Sequence, residues 1–345
     1  MDNELSEKEE ILLGLMYSIS LFPYDENTGE YILSENRRVR LDNEGLLSVA
    51  KNRFEDTILE AMLKSLQNKK MILVKDKSHA LTDLGIILGK KIRAKNMSSL
   101  YDKLLLRCAQ SNAYAEFCEK VYGKNLMQFN VVDFQQIDLM LERLAIKSTD
   151  VVLDLGCGLG KITEYLAERT GAQFTGIDFS QKSIEWANAN SNVNEKLHFS
   201  VMDINELSFP KNSMDVIIAL DVLYWLDDLT PVIKNLKDIL KKDGRMGIFY
   251  VQFANQNTPD ESLNPENTQL AKLLSQFNLH YEIVDVSHIA IDLWKRKLTI
   301  GKQLRSKFLE ENNQDIIDER LTDGENVLKK FELKQQKRYF FYVTK

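Results

Sequence analysis

The chain is constrained most by the run from Val151 to Thr163, VVLDLGCGLGKIT. Val151, Val152, Leu153 and Leu155 form a short apolar stretch with β-branched residues, the pattern of a strand buried on both faces. Gly156, Gly158 and Gly160 follow at alternating positions. From Lys161 onward, Ile162, Tyr165 and Leu166 take helical spacing. Strand, glycine turn and helix in that order build the ligand-binding corner of a doubly wound α/β sheet. Glycine belongs there because a Cβ would block close approach of a ligand to the backbone, and because such turns need positive φ.

The dinucleotide fingerprint G-x-G-x-x-G requires a third glycine where Lys161 stands, so that pattern fails. The pattern present is D-x-G-x-G-x-G from Asp154, which resembles motif I of the class I S-adenosylmethionine-dependent methyltransferases. The resemblance implies S-adenosylmethionine as methyl donor and S-adenosylhomocysteine as product. It implies a Rossmann-like sheet of seven strands, parallel except for an antiparallel C-terminal hairpin. It also implies that the loop, with Cys157 inside it, packs beside the methionine and ribose, with Asp154 near the methionine amino group. Phe174 to Asp178 reads as the second strand; the family acid at its end, here Asp178 followed by Phe179, accepts hydrogen bonds from the ribose hydroxyls. Leu197 to Ile204 reads as the third strand, and Asp203, between Met202 and Ile204, matches the residue that takes the adenine amino group. Met214 to Leu220 reads as the fourth, with Leu220 and Asp221 at its exit. An isolated aspartate at any of these points is more often an ordinary cap or strand-end residue. Four acids at successive strand ends, in register, favour the donor site.

With 345 residues, two domains are expected. A formal net charge of −6 gives no general attraction to nucleic acid or acidic lipid. Cys108, Cys118 and Cys157 lack metal-ligand spacing, so no metal site is expected. No apolar run reaches membrane-spanning length and the opening Met1 to Glu4 lacks a basic signal region, so a cytoplasmic location is expected.

Residues 1–96 read as helices over Glu7–Leu21, Glu44–Ala50 and Asp56–Gln67, a strand up to Lys75, a polar tip, and a helix from Ala80 to about Lys95. This is similar to a winged helix-turn-helix. Lys69, Lys70, Lys75 and Lys77 favour DNA, but Glu55, Asp56 and Glu60 on the recognition helix would repel phosphate. The balance favours homodimerisation, which the resemblance to small-molecule methyltransferases also implies. Residues 97–146 read as a linker and active-site cap: a hinge at Met97 to Ser99, then helices over Leu100–Leu106, Ala113–Tyr122 and Phe134–Leu144. Tyr122, Gln128 and Phe129 are its expected ligand-facing residues, with core packing as the competing reading. Residues 147–345 read as the catalytic domain, in which Ile291 to Lys330 is helical, either a second lid or a solvated excursion.

Methyl transfer from a sulfonium is an in-line displacement, so the protein mainly aligns the nucleophile and excludes water. A base is needed only for a protonated nucleophile of high pKa. After the fourth strand, hydroxyl-methylating relatives carry a histidine behind a Val-Leu pair; here Tyr224 occupies that place, followed by Trp225. Tyr224 is therefore the candidate for orienting the substrate, with wall packing as its alternative. His280 and His288 are candidates for a displaced base. The Asn/Asp-Pro-Pro-Tyr tetrad of amine and amide methylation is missing, as is a Pro-Cys nucleophile. The expected activity is methyl transfer to an oxygen or nitrogen of a small molecule. The alternatives are a winged-helix transcription regulator with a ligand-sensing Rossmann domain, or an RNA methyltransferase.

Overall fold

The computed structural model describes residues 5–20, 24–25, 30–31, 55–75, 78–254 and 259–345. They fall into two compact units, residues 1–100 and 101–345.

The first unit contains helices α1 (Glu7–Ser20) and α2 (Asp56–Asn68), then the antiparallel strands β1 (Ile72–Lys75) and β2 (Ser78–Leu81). Helix α3 (Asp83–Gln110) begins in this unit. Leu12, Leu13 and Met16 of α1 meet Leu59, Met62, Leu63 and Leu66 of α2 in a small core. The Leu-Thr-x-x-Gly stretch has a steric reason. Thr82 Oγ1 accepts the Gly85 amide at 3.0 Å, and a Cβ on Gly85 would sit 2.0 Å from the Met71 carbonyl oxygen. The expected helix at Glu44–Ala50 lies outside the described residues. The hinge expected at Met97 to Ser99 does not interrupt the chain: α3 runs through it without a break. That stretch holds no proline or glycine, and serine and asparagine inside a helix cost only tenths of a kcal/mol each, roughly 0.5.

The second unit opens with α4 (Asn112–Tyr122), capped by Ser111 and ended by Gly123 at φ 87°, and α5 (Phe134–Leu144), capped by Asp133. Then strands and crossover helices alternate: β3 (Val151–Leu155), α6 (Lys161–Thr170), β4 (Gln173–Asp178), α7 (Gln181–Asn190), β5 (Leu197–Val201), β6 (Met214–Leu220), α8 (Leu229–Ile239) and β7 (Leu240–Phe253). After α9 (Gln269–Gln276) come β8 (His280–Asp285), the helical pair α10 (Ser287–Glu310) and α11 (Gln314–Glu332), and β9 (Gln336–Thr344). The strands form one seven-stranded sheet in the order β8-β9-β7-β6-β3-β4-β5. β9 pairs antiparallel with both β7 and β8, and every other pairing is parallel. The strands β3, β6 and β7 are buried on both faces because helices cover both sides. One layer is built on Ile217, Leu236, Ile248 and Phe341; the other on Val152, Phe174, Ile218 and Phe340.

The stretch from 291 to 330 packs one face inward. Leu293, Leu304 and Phe308 of α10 and Ile316 and Ile317 of α11 pack with Tyr114, Phe117, Cys118 and Tyr122 of α4 in a third core. Cap and late excursion are one body.

Candidate active site

The corner is built from Gly156, Gly158 and Gly160, at φ 70°, 54° and 72°. Two of them are glycines for packing. A Cβ on Gly156 would lie 2.8 Å from Val222 Cγ2, and one on Gly160 would lie 2.6 Å from the Phe199 ring. Gly158 is different: a Cβ there would meet nothing within 4 Å, so this glycine presents its bare face to open space. The turn is pinned from behind, since the amides of Gly156 and Cys157 both donate to the Ile177 carbonyl, at 2.8 and 2.9 Å.

Beneath the turn lies Asp154, 2% exposed. Its Oδ2 accepts a hydrogen bond from Thr163 Oγ1 at 2.5 Å. Burial pushes its carboxyl up to about 7; the Thr163 hydrogen bond offsets part of that, and Asp178 adds a smaller push upward. Asp178 ends β4. It accepts the Gly158 amide on Oδ2 at 3.0 Å and the Ser180 amide on Oδ1 at 2.9 Å. Burial still raises its carboxyl above the usual carboxylate range, and the nearby Asp102 adds to the effect. Asp102, on α3, accepts a hydrogen bond from Ser180 Oγ. Sequence reasoning missed Asp102, because a single acid in an amphipathic helix carries no signal of what it faces. Asp203 stands beyond the end of β5, exposed, with its Oδ1 accepting the Asn205 amide at 2.8 Å. Met202 next to it is half-buried and its amide donates to the Asp178 carbonyl at 3.0 Å; Ile204 is buried and Phe179 is 42% exposed. The corner thus collects Asp154, Asp178, Asp102 and Asp203, which pair with no cation among the described residues, beside a bare glycine face. That suits a ligand carrying positive charge and hydroxyl donors.

Asp221 departs from this set. It sits at φ 62° behind buried Leu220, and its carboxylate is committed to the fold. Both oxygens pair with the Arg338 guanidinium, Nη2 to Oδ2 at 3.0 Å. Oδ2 also accepts the Val131 amide at 2.8 Å, and Oδ1 accepts the Tyr224 hydroxyl at 3.2 Å. The expected fourth acid of the rim is instead a buried ion-pair partner. Tyr224 is fixed by that bond and by the Tyr250 ring, edge-on at 6.0 Å, while its neighbour Trp225 is 64% exposed.

His280 is at the wrong end of the sheet. It pairs with Thr344, which pairs with Arg245, level with the start of β6 at Val216. The glycine corner lies at the opposite strand ends, so His280 is no base for a reaction there. His288 is exposed in the first turn of α10. The cap residues Tyr122 and Gln128 are 3% and 1% exposed, inside the helical body. Tyr122 donates to the Asn130 carbonyl at 2.8 Å, and Gln128 Oε1 accepts the Leu126 amide at 2.9 Å. The guanidinium of Arg320 lies 3.4 Å over the Phe129 ring. A separate cleft of about 550 Å³, lined by Leu263, Pro265, Ile291, Phe331, Gln336 and Lys337, shares no residue with the glycine corner. Among the described residues no helix is long and apolar enough to cross a membrane.

Residues 153–248 match the family model described as a methyltransferase domain. The chain is 28% identical over 149 residues to 27-O-demethylrifamycin SV methyltransferase of Amycolatopsis mediterranei, covering 40% of this chain and 55% of that protein. It is 21% identical over 285 residues to phosphoethanolamine N-methyltransferase 1 of Triticum aestivum, covering 76% and 57%. It therefore spans little more than half the length of either relative. Phosphoethanolamine N-methyltransferase 2 of Haemonchus contortus, solved with phosphomonomethylethanolamine and S-adenosylhomocysteine, superposes with a TM-score of 0.58 at 18% identity, over 71% of this chain and 60% of that one. The cyclopropane synthase MmaA2 of Mycobacterium tuberculosis superposes at 0.57 and 10% identity, over 71% and 98%. At these identities the two structures speak for the fold.

Proposed function

We propose that this chain, a member of the class I S-adenosylmethionine-dependent methyltransferases, transfers the methyl group of that donor to an oxygen or nitrogen nucleophile of a small molecule. The observation that carries the reading is the open face of Gly158 set beside the buried acids Asp102, Asp154 and Asp178, which pair with no cation among the described residues. S-adenosylmethionine supplies an already activated methyl group on a positively charged sulfur. In this reading Asp178, held by the Gly158 and Ser180 amides, has lone pairs left for the ribose hydroxyls. Asp203 accepts from the adenine amino group, Met202 and Ile204 flank the ring, and Asp154 sets a negative environment under the methionine end. Phe179 and Leu220 complete the apolar wall. Tyr224, locked by Asp221 and Tyr250, orients the acceptor at the strand exit, and Trp225 shields it from water. A histidine base has no place in this scheme, which favours a nucleophile that needs little help in losing its proton. The negative net charge and the small-molecule substrates in the relatives' names support a small acceptor over RNA.

Calorimetry of the full chain with S-adenosylmethionine and S-adenosylhomocysteine tests the reading. Micromolar binding is the expected result, lost on replacing Asp178 with alanine. Absence of binding at millimolar donor would end it.

A further inference from the structure

The helical body over the strand exits holds a cation with too few partners. Lys297 of α10 is 4% exposed, and its Nζ donates a single hydrogen bond, to the Asn130 carbonyl at 3.1 Å. Its other contacts are the faces of Trp294 at 4.2 Å and Tyr122 at 5.6 Å. An ammonium has three N–H donors, so two have no oxygen acceptor among the described residues and meet only ring faces. Two residues before Asn130, Gln128 is 1% exposed and its amide nitrogen has no hydrogen-bond partner. Arg320 of α11, half-buried over Phe129, forms no ion pair with any described carboxylate. A buried charge without a counterion is strongly unfavourable, and unsatisfied buried donors are rare in folded proteins.

The nearby acids do not answer this demand. Asp221 is taken by Arg338, and Asp133 by the Gln136 amide at the start of α5. Burial, and next the charge of Arg320, bring the Lys297 ammonium down to about 7; Arg338 pushes the same way, Asp221 and the Cys118 thiol the other. With Tyr122, these are the titratable and charged groups facing it from α4, α11, β9 and the exit of β6. The cluster also lies close to the reaction site. Asn130 precedes Val131, whose amide binds Asp221, and Val222 next to Asp221 touches Gly156 of the corner.

The geometry points to Lys297, Arg320 and Gln128 as the receptor for an oxyanion carried by the methyl acceptor, so that the substrate is a small molecule bearing a phosphate or carboxylate group. That the anion belongs to a methyl acceptor rests on the methyl-transfer reading; the anion site itself does not. Arg320, half-exposed at the edge, marks the side from which the anion enters. Lys297 and the Gln128 amide close over it from within.

Inorganic phosphate in a chloride buffer tests the site on the full chain without any methyl transfer. Lysine-selective nuclear magnetic resonance is expected to find one ammonium, absent from Lys297→Met, that titrates near pH 7 without phosphate and clearly higher with it. Phosphate binding should weaken at least about tenfold in Lys297→Met and several-fold in Arg320→Met, as expected for lost charge-assisted hydrogen bonds. Methionine fits the aromatic surroundings of Lys297, and thermal unfolding of the variant checks that it has folded. Equal phosphate binding by wild type and Lys297→Met, or no wild-type binding at tens of millimolar, roughly 50, would overturn the proposal. Donor calorimetry on the same wild-type preparation reports separately on the methyltransferase reading.

Discussion

Asp154 is an acid where water scarcely reaches, and its chemistry follows from that. Its carboxyl ordinarily ionises near 3.8 and in the fold near 7, with burial the larger cause. Because the folded value is raised, the group favours the native state most at low pH. That contribution is complete below about pH 4 and declines as pH rises to 7, where the native carboxyl must ionise without solvent. The shift corresponds to on the order of 4 kcal/mol as an upper bound. In Asp154→Asn the hydrogen bond from Thr163 survives, since an amide oxygen can accept it. Urea unfolding of the donor-free protein between pH 4 and 8 is expected to show the variant gaining on wild type as pH rises. A constant difference would mean that Asp154 is already ionised in the fold. The three glycines separate by the same local reasoning. Alanine at 160 suffers both a strained φ and a 2.6 Å clash with Phe199, for a loss of about 3 kcal/mol. Alanine at 158 suffers only the strain, about 1 kcal/mol. Its methyl group fills the face assigned to the donor, so calorimetry should find donor affinity lost in a protein that thermal melting finds nearly intact.

Elements differed in how far the sequence revealed them. The strand, turn and helix from Val151 to Thr170 were legible because apolar run, glycine spacing and helical period agree within twenty residues. The closing antiparallel hairpin was expected only through the family resemblance, and β9 pairs antiparallel as that resemblance implies. Helix α3 runs on through Met97 to Ser99, past the end expected near Lys95, because nothing in that polar patch breaks a helix. This gives a discriminating test. Proline at position 98, in the middle of a continuous helix, removes an internal hydrogen bond and should cost about 3 kcal/mol in urea unfolding. A true hinge would tolerate it. The late helices α10 and α11 were visible as helices, but not their seat against α4. Their buried faces are short apolar runs among charges, and only the partner surface supplied by Phe117 and Tyr114 explains which residues turn inward.

At the scale of the whole catalytic unit, the hardest feature to foresee joins segments more than a hundred residues apart. Arg338 is 1% exposed in a strand whose neighbours Tyr339, Phe340 and Phe341 are buried core. That was the available clue, since a charge inside an apolar strand must have a partner, but nothing in the sequence said which. The partner is Asp221, with Gln136 Oε1 accepting from Arg338 Nε at 2.9 Å and the Val131 amide completing the carboxylate. One guanidinium therefore ties the C-terminal hairpin, the exit of β6 and the cap loop together, and through Asp221 it also fixes Tyr224. Arg338→Met leaves a buried carboxylate without its counterion, a loss of about 3–5 kcal/mol. Asp221→Asn combined with Arg338→Met removes the stranded charge, and the amide can still accept from Val131. The double variant is therefore expected to regain much of that stability. Its donor affinity should stay near wild type, because Asp221 faces the fold and not the glycine corner. Its methyl transfer should still fall, because Tyr224 has lost the arginine-braced carboxylate that holds its hydroxyl. Donor binding lost in step with turnover would instead place Asp221 among the groups that hold the donor.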